Sequence, residues 1–177
     1  MRKLLNSELN RKSIDDFRDA KKIPVVIVLD NVRSMNNIGS IFRTADAFLI
    51  KSIYLCGITA TPPHRDIQKT ALGATDSVSW KYFKETKQAI EELKSDGFKI
   101  CSLEQVDSSI SLMDFTPEPG ENIAFVFGHE IKGVGQEIVN MSDLSIEIPQ
   151  LGTKHSFNIS ISTGIVLWDY FIKIKKK

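Results

Sequence analysis

Ser156, Asn158, Ser160 and Ser162 occupy alternate positions just after a turn bracketed by Pro149 and Gly152, where a stretch of helical periodicity begins. A helix that opens on Ser and Asn leaves backbone N–H groups aimed at whatever sits above it, which is a place to hold a ligand. The plainer alternative is that Ser156 caps the helix and the hydroxyls are solvated. A second stretch, DNVRSMNNIGSIFRTADAF (residues 30–48), has Asn37 and Gly39 opening a helix with Arg43 one or two turns into it. A guanidinium near exposed backbone donors and an asparagine amide forms a cationic corner suited to a phosphate or an oxyanion. Against this stands a surface arginine that pairs with Asp46 or is solvated. In a third stretch, FVFGHEIKGV (residues 125–134), Gly128 lets ligand atoms approach the backbone and Glu130 follows in a loop that contains Gly133 and Gly135. That loop lacks the Gly-Lys-Ser/Thr ending of a phosphate cradle, and no Gly-x-Gly-x-x-Gly follows a strand.

Elements of two kinds must position these residues. Apolar runs at residues 23–30 (IPVVIVLD), 52–57, 78–83, 98–103, 124–128 and 144–149 read as strands. Their β-branched, nearly continuous apolarity is that of strands covered on both faces. Between them lie helical patterns at residues 39–48 (Ile41, Ala45, Phe48), 65–72 and 86–94 (Ile90, Leu93), and a last helix with Ile161, Ile165 and Trp168 as its buried stripe. An amphipathic helix is expected over residues 4–19 through Leu5, Leu9 and Phe17. The alternation predicts one open α/β sheet with helices on both faces, and ligands on such sheets sit beyond the carboxyl ends of the strands. The unusual residues follow Leu29, Leu103, Phe127 and Ile148, as this rule requires.

The 177 residues suit one domain, and 42% hydrophobic with 25% charged residues fits a globular chain. No apolar run approaches the roughly 20 residues needed to span a bilayer, and the N-terminus lacks a signal peptide's apolar segment, which predicts a cytosolic protein. Cys56 and Cys101 end apolar strands and read as free core thiols. His64, His129 and His155 are scattered without partners at ligand spacing, so no metal is expected. The net charge of +1 conceals basic ends: Arg2, Lys3, Arg11, Lys12, Arg18, Lys21 and Lys22 at one, and Lys173, Lys175, Lys176 and Lys177 at the other. Such ends can touch a phosphate backbone or simply be solvated.

The three stretches NVRSMNNIGSIFRTADAF, FVFGHEIKGV and IPQLGTKHSFNISISTGIVLWDY, in this order and at these separations, resemble the three motifs of the SpoU family of RNA ribose 2′-O-methyltransferases in the SPOUT superfamily. The resemblance implies a single-domain SPOUT fold over residues 23–177, a mostly parallel sheet flanked by helices whose C-terminal part threads into a deep trefoil knot. Residues 1–22 would be a basic N-terminal helical extension. It further implies S-adenosylmethionine as cofactor, held around Leu103, Gly128, Ile148, Leu151, Ser156 and Phe157. Its methyl group would pass to a ribose 2′-hydroxyl. Arg43 would be the central catalytic residue, with Asn37, Glu130, Ser156 and Asn158 orienting ribose, arginine and cofactor. Family members act as homodimers. A compact chain resembles the members that act on tRNA; ribosomal RNA, or RNA binding without catalysis, are the alternatives. A base methyltransferase is disfavoured by the asparagine-arginine first motif. The chain departs from many relatives at Arg33–Ser34–Met35–Asn36, where they carry a proline, and at Leu49, where they carry a glycine; these touch loop shape and leave the named polar residues intact.

Overall fold

The structure, a computed structural model, describes residues 1–175; Lys176 and Lys177, the end of the expected basic tail, lie outside the described residues. Its centre is β1 (Ile23–Asp30), of which the last six residues are buried. Alternate side chains of a strand face opposite ways, and β1 divides accordingly. Val25, Ile27 and Leu29 join one core layer with Phe17, Ile41, Phe42, Ile67 and Val166, while Val26 and Val28 join another with Ile90, Leu93 and Ile138. Helices α1 (Ile14–Asp19), α2 (Met35–Ala47), α3 (Arg65–Ala71), α4 (Ala74–Ser77) and α7 (Ile159–Lys175) supply the first layer. Helices α5 (Thr86–Ser95) and α6 (Gln136–Met141) supply the second.

The other strands are β2 (Ile50–Cys56), β3 (Trp80–Phe83), β4 (Lys99–Leu103), the short β5 (Ile110–Ser111), β6 (Ile123–Phe127) and β7 (Leu144–Glu147). They form one seven-stranded sheet in the order β3-β2-β1-β6-β4-β7-β5, with every pairing parallel. The expected open α/β sheet with helices on both faces is therefore present. Because β6, β4 and β7 are adjacent, the turns that follow Phe127, Leu103 and Glu147 emerge side by side. Cys56 and Cys101 are buried free thiols, and burial pushes each up to about 12. Among the described residues no helix is long and apolar enough to cross a membrane, and no group of three or more His, Cys, Asp or Glu is placed to hold a metal.

Several expected elements differ. The helix expected over residues 4–19 is broken into a 3-10 turn at Asn6–Glu8 and α1, because Asn10 adopts a left-handed φ of 47° and Ser13 starts a new helix through a capping box with Asp16. Phe17 is buried as expected, but Leu5 and Leu9 are exposed. Helix α2 begins four residues before Gly39, because Ser34 caps it by accepting the Asn37 N–H at 3.3 Å. In α7 the stripe Ile161, Ile165, Trp168 is not the buried one: Ile161 and Trp168 are 55% and 56% exposed, and Ile165 is half-buried. The core instead receives Ile159, Thr163, Val166, Leu167 and Tyr170. This face starts two residues earlier and so lies about 200° around the helix. Thr163 disguises it, a polar residue whose hydroxyl is satisfied by the Ile159 carbonyl at 2.8 Å.

Candidate active site

A cavity of about 580 Å³ opens where β4, β6 and β7 end. Leu103, Phe127, Ile146 and Ile148 form its apolar floor, and Gly128, Glu130, Ser156, Phe157 and Asn158 are among its other walls. The loop after β6 doubles back tightly. The N–H of His129 donates to the Gly133 carbonyl at 3.0 Å and the Gly133 N–H returns to the His129 carbonyl at 2.8 Å. A Cβ at Gly128 would lie 2.1 Å from both the Gly133 carbonyl carbon and the Val134 nitrogen, so only glycine fits. His129 turns inward, its Nδ1 accepting the Ile131 N–H at 3.0 Å.

From this loop the exposed Glu130 reaches the start of α2. Its Oε1 accepts the Ser34 N–H at 2.8 Å and its Oε2 the Arg33 N–H at 3.1 Å. Burial works against the ionised carboxylate, yet the N–H groups of Glu130, Ser34 and Arg33, with His129 nearby, outweigh it and hold the carboxyl below the ordinary glutamate range. Helix α2 is joined to the start of α7 as well, since Asn158 Nδ2 donates to Asn37 Oδ1 at 3.2 Å. The same Asn158 opens α7, its Oδ1 accepting the Ser160 N–H at 2.9 Å and its carbonyl the Ser162 N–H at 2.9 Å. The cap of α7 is thus Asn158 and not Ser156, whose exposed side chain lines the cavity.

Of the expected site residues, Leu103, Gly128, Glu130, Ile148, Ser156, Phe157 and Asn158 share the cavity wall, and Asn37 touches it through Asn158. Two do not. Leu151 is fully exposed and outside the lining, in an exposed loop of which only residues 155–158 line the cavity. Arg43 is exposed on α2, and six residues of helix put it about 9 Å beyond Asn37 along the axis. It makes no ion pair with Asp46, whose carboxylate instead accepts from the Ser77 hydroxyl at 2.5 Å. Three further residues of consequence carry only faint signals in the sequence. Ser34, three before Asn37, has cap spacing; Asp30 ends an otherwise apolar strand; and Glu104 immediately follows Leu103, at a strand end already marked as the place to look.

The apolar floor and polar rim, at this volume, suit a nucleoside-sized ligand held without a phosphate loop. The model of the SpoU rRNA Methylase family matches residues 24–168. The tRNA (guanosine(18)-2′-O)-methyltransferase of Borreliella burgdorferi is 27% identical over 152 residues, 86% of this chain and 68% of that protein. The A. aeolicus TrmH/SpoU tRNA modifying enzyme superposes with a TM-score of 0.80 at 25% identity, over 92% of this chain and 83% of its own. The AdoMet-bound rRNA methyltransferase from Sinorhizobium meliloti superposes with a TM-score of 0.78 at 25% identity, over 86% of this chain and 58% of its own. With the three motifs following the carboxyl ends of strands of one sheet and joined there by hydrogen bonds, and the family model spanning most of the sequence, the chain belongs to the SpoU rRNA Methylase family.

Proposed function

We propose that this protein is a methyltransferase that uses S-adenosylmethionine to methylate a ribose 2′-hydroxyl of RNA, with tRNA as the preferred substrate. One observation carries this: a nucleoside-sized cavity at three adjacent strand ends is bordered by polar groups of the second and third motifs, and the first motif is tied to it by the Glu130–Ser34 and Asn158–Asn37 hydrogen bonds. Backbone groups around Leu103, Gly128 and Ile148, with Ser156 and Phe157, would hold the cofactor, which when bound supplies an electrophilic sulfonium methyl group. The tRNA preference rests on the Borreliella and A. aeolicus relatives; the Sinorhizobium relative keeps ribosomal RNA as the second reading.

A ribose hydroxyl is a weak nucleophile at neutral pH, so the chain must place it and ease its deprotonation. Arg43 would grip the adjacent phosphate, and its positive charge would favour the developing alkoxide. Glu130 has both oxygens committed to backbone N–H groups, so it orients the first motif and does not serve as the base. Asn37 and Asn158 act as a pair that fixes the ribose side of the cavity, with the Ser156 hydroxyl beside them. The protein would work in the cytoplasm as a homodimer, with the trefoil threading of its family and residues 1–22 as a basic RNA-gripping extension.

Two measurements test this. Mass-spectrometric mapping of ribose methylation in RNA from cells with and without the protein should reveal a site that vanishes with it, and its location decides between tRNA and ribosomal RNA. In vitro, Arg43→Ala should lower kcat about a hundredfold or more while cofactor affinity by calorimetry stays near wild type. Wild-type turnover in that variant removes Arg43 from the chemistry.

A further inference from the structure

In the sheet β6 lies between β1 and β4, and the loop that leaves it is tied to both neighbours. Two successive amides on the loop's return limb each meet a carboxylate from a different strand end. The Val134 N–H donates to Glu104 Oε2 at 2.9 Å, from just beyond β4, and the Gly135 N–H donates to Asp30 Oδ2 at 2.9 Å, from the end of β1. Asp30 is buried away from the cavity and accepts further bonds from Thr86 and Asn31. Glu104 differs. It is half-buried, it lines the cavity, and its Oε1 is held by the Gln105 N–H at 3.0 Å.

Glu104 also fills the space over Gly133. That glycine has φ +68°, and a Cβ built on it would stand 2.0 Å from Glu104 Oε2. The carboxylate thus takes the place of a side chain and packs on the glycine that closes the His129–Gly133 bridge. Residues 128–133 form one wall of the cavity, and Glu104, also in the lining, packs against that wall and bonds to its return limb.

We propose that Glu104 is a positioning residue for the cofactor: by anchoring the Val134 amide it preforms the wall from Gly128 to Gly133, so cofactor affinity depends on it while RNA affinity does not. The role presupposes that the cavity takes S-adenosylmethionine as proposed above. A wall already held in its binding shape saves the ordering cost at the moment of binding.

The test is calorimetric titration of S-adenosylmethionine into wild type, Glu104→Ala and Glu104→Gln, with amide hydrogen exchange at Val134 and KM for RNA read alongside. Glu104→Ala should weaken cofactor binding about tenfold or more and speed exchange at Val134. Glu104→Gln, which keeps one acceptor oxygen, should lie between, and KM for RNA should not move in either. Were Glu104 merely structural, the variants would lower Tm and the folded fraction but bind cofactor with wild-type Kd, and that result overturns the proposal. If Glu104→Ala does not fold, Glu104→Gln decides alone: faster Val134 exchange with unchanged Kd sinks the role. Wild-type protein that binds no S-adenosylmethionine overturns the cofactor reading, and this role with it; binding by wild type with undiminished affinity in the variants overturns this role only.

Discussion

Glu130 illustrates how a single side chain can order its neighbours through geometry alone. Its two oxygens take the N–H groups of Arg33 and Ser34, and the second of these, at the cap, is one of the donors that a helix start leaves unpaired. Ser34 in turn caps α2 with its own hydroxyl, so the carboxylate and the hydroxyl together set where Asn37 and Arg43 emerge. The folded carboxyl is held below its ordinary value, so its contribution to stability is fully present above the unfolded-state value of about 4.3 and is lost as pH falls through the folded one. An NMR titration of the Glu130 side chain should therefore show a midpoint below the ordinary glutamate range, and Glu130→Gln should abolish that part of the acid sensitivity. Because the group is exposed, the neutral-pH loss should be no more than about 1 kcal/mol. A midpoint at or above the ordinary value would show that the Arg33 and Ser34 bonds are not formed in solution.

Between elements, the contact of α2 with α3 places the first motif. Gly39 allows it: a Cβ there would lie 2.1 Å from Thr70 Oγ1 and 2.2 Å from the Ile67 carbonyl oxygen. Replacing glycine inside a helix by alanine ordinarily gains about 1 kcal/mol, whereas overpacking against an unyielding neighbour costs about 1–3 kcal/mol. The carbonyl is backbone and cannot swing away, so the cost wins. Gly39→Ala should lower the unfolding free energy in denaturant titration, and a Thr70→Ala background should not restore it. A stability gain would mean that the helices sit further apart than this. The same elements show what the sequence could and could not yield. β1 is legible in the sequence because its apolar run has no other home than the middle of a covered sheet. The start of α2 was misread because Gly39 looks like a helix boundary when it is a contact point, while the true signal, Ser34 as cap, is one small residue. In α7 the large apolar side chains Ile161 and Trp168 outweigh Thr163 in the sequence pattern, and only the packing of Ile159, Thr163, Val166, Leu167 and Tyr170 into the core shows which side is dry. The cavity residues were legible by strand-end position and by resemblance, whereas Glu104 acts through an amide thirty residues away that no local pattern connects to it.

For the whole molecule, the misread face of α7 becomes informative. Ile161 and Trp168 are exposed, and Trp168 stacks on Phe171 at 6.0 Å beside Phe48, leaving an apolar surface next to α2. A helix apolar on nearly every side is normally covered on every side, and a second copy would cover this one. Trp168→Glu should then shift the protein from dimer to monomer in sedimentation velocity. A dimer would also give Arg43 a place to act, since on its own chain it stands about 9 Å along α2 from Asn37 and outside the cavity. If Arg43 serves the partner's cavity while Asn158 serves its own, subunits carrying Arg43→Ala and Asn158→Ala complement each other. Each mixed dimer then has one site with both changes and one with neither. Random subunit exchange leaves half the dimers mixed, so about one quarter of all sites become wild type. Transfer activity should rise from near zero to about that fraction on mixing. Were both residues to act within one chain, every site would carry a lesion and mixing would restore nothing, which places Arg43 at its own cavity and removes the reason for it to lie outside.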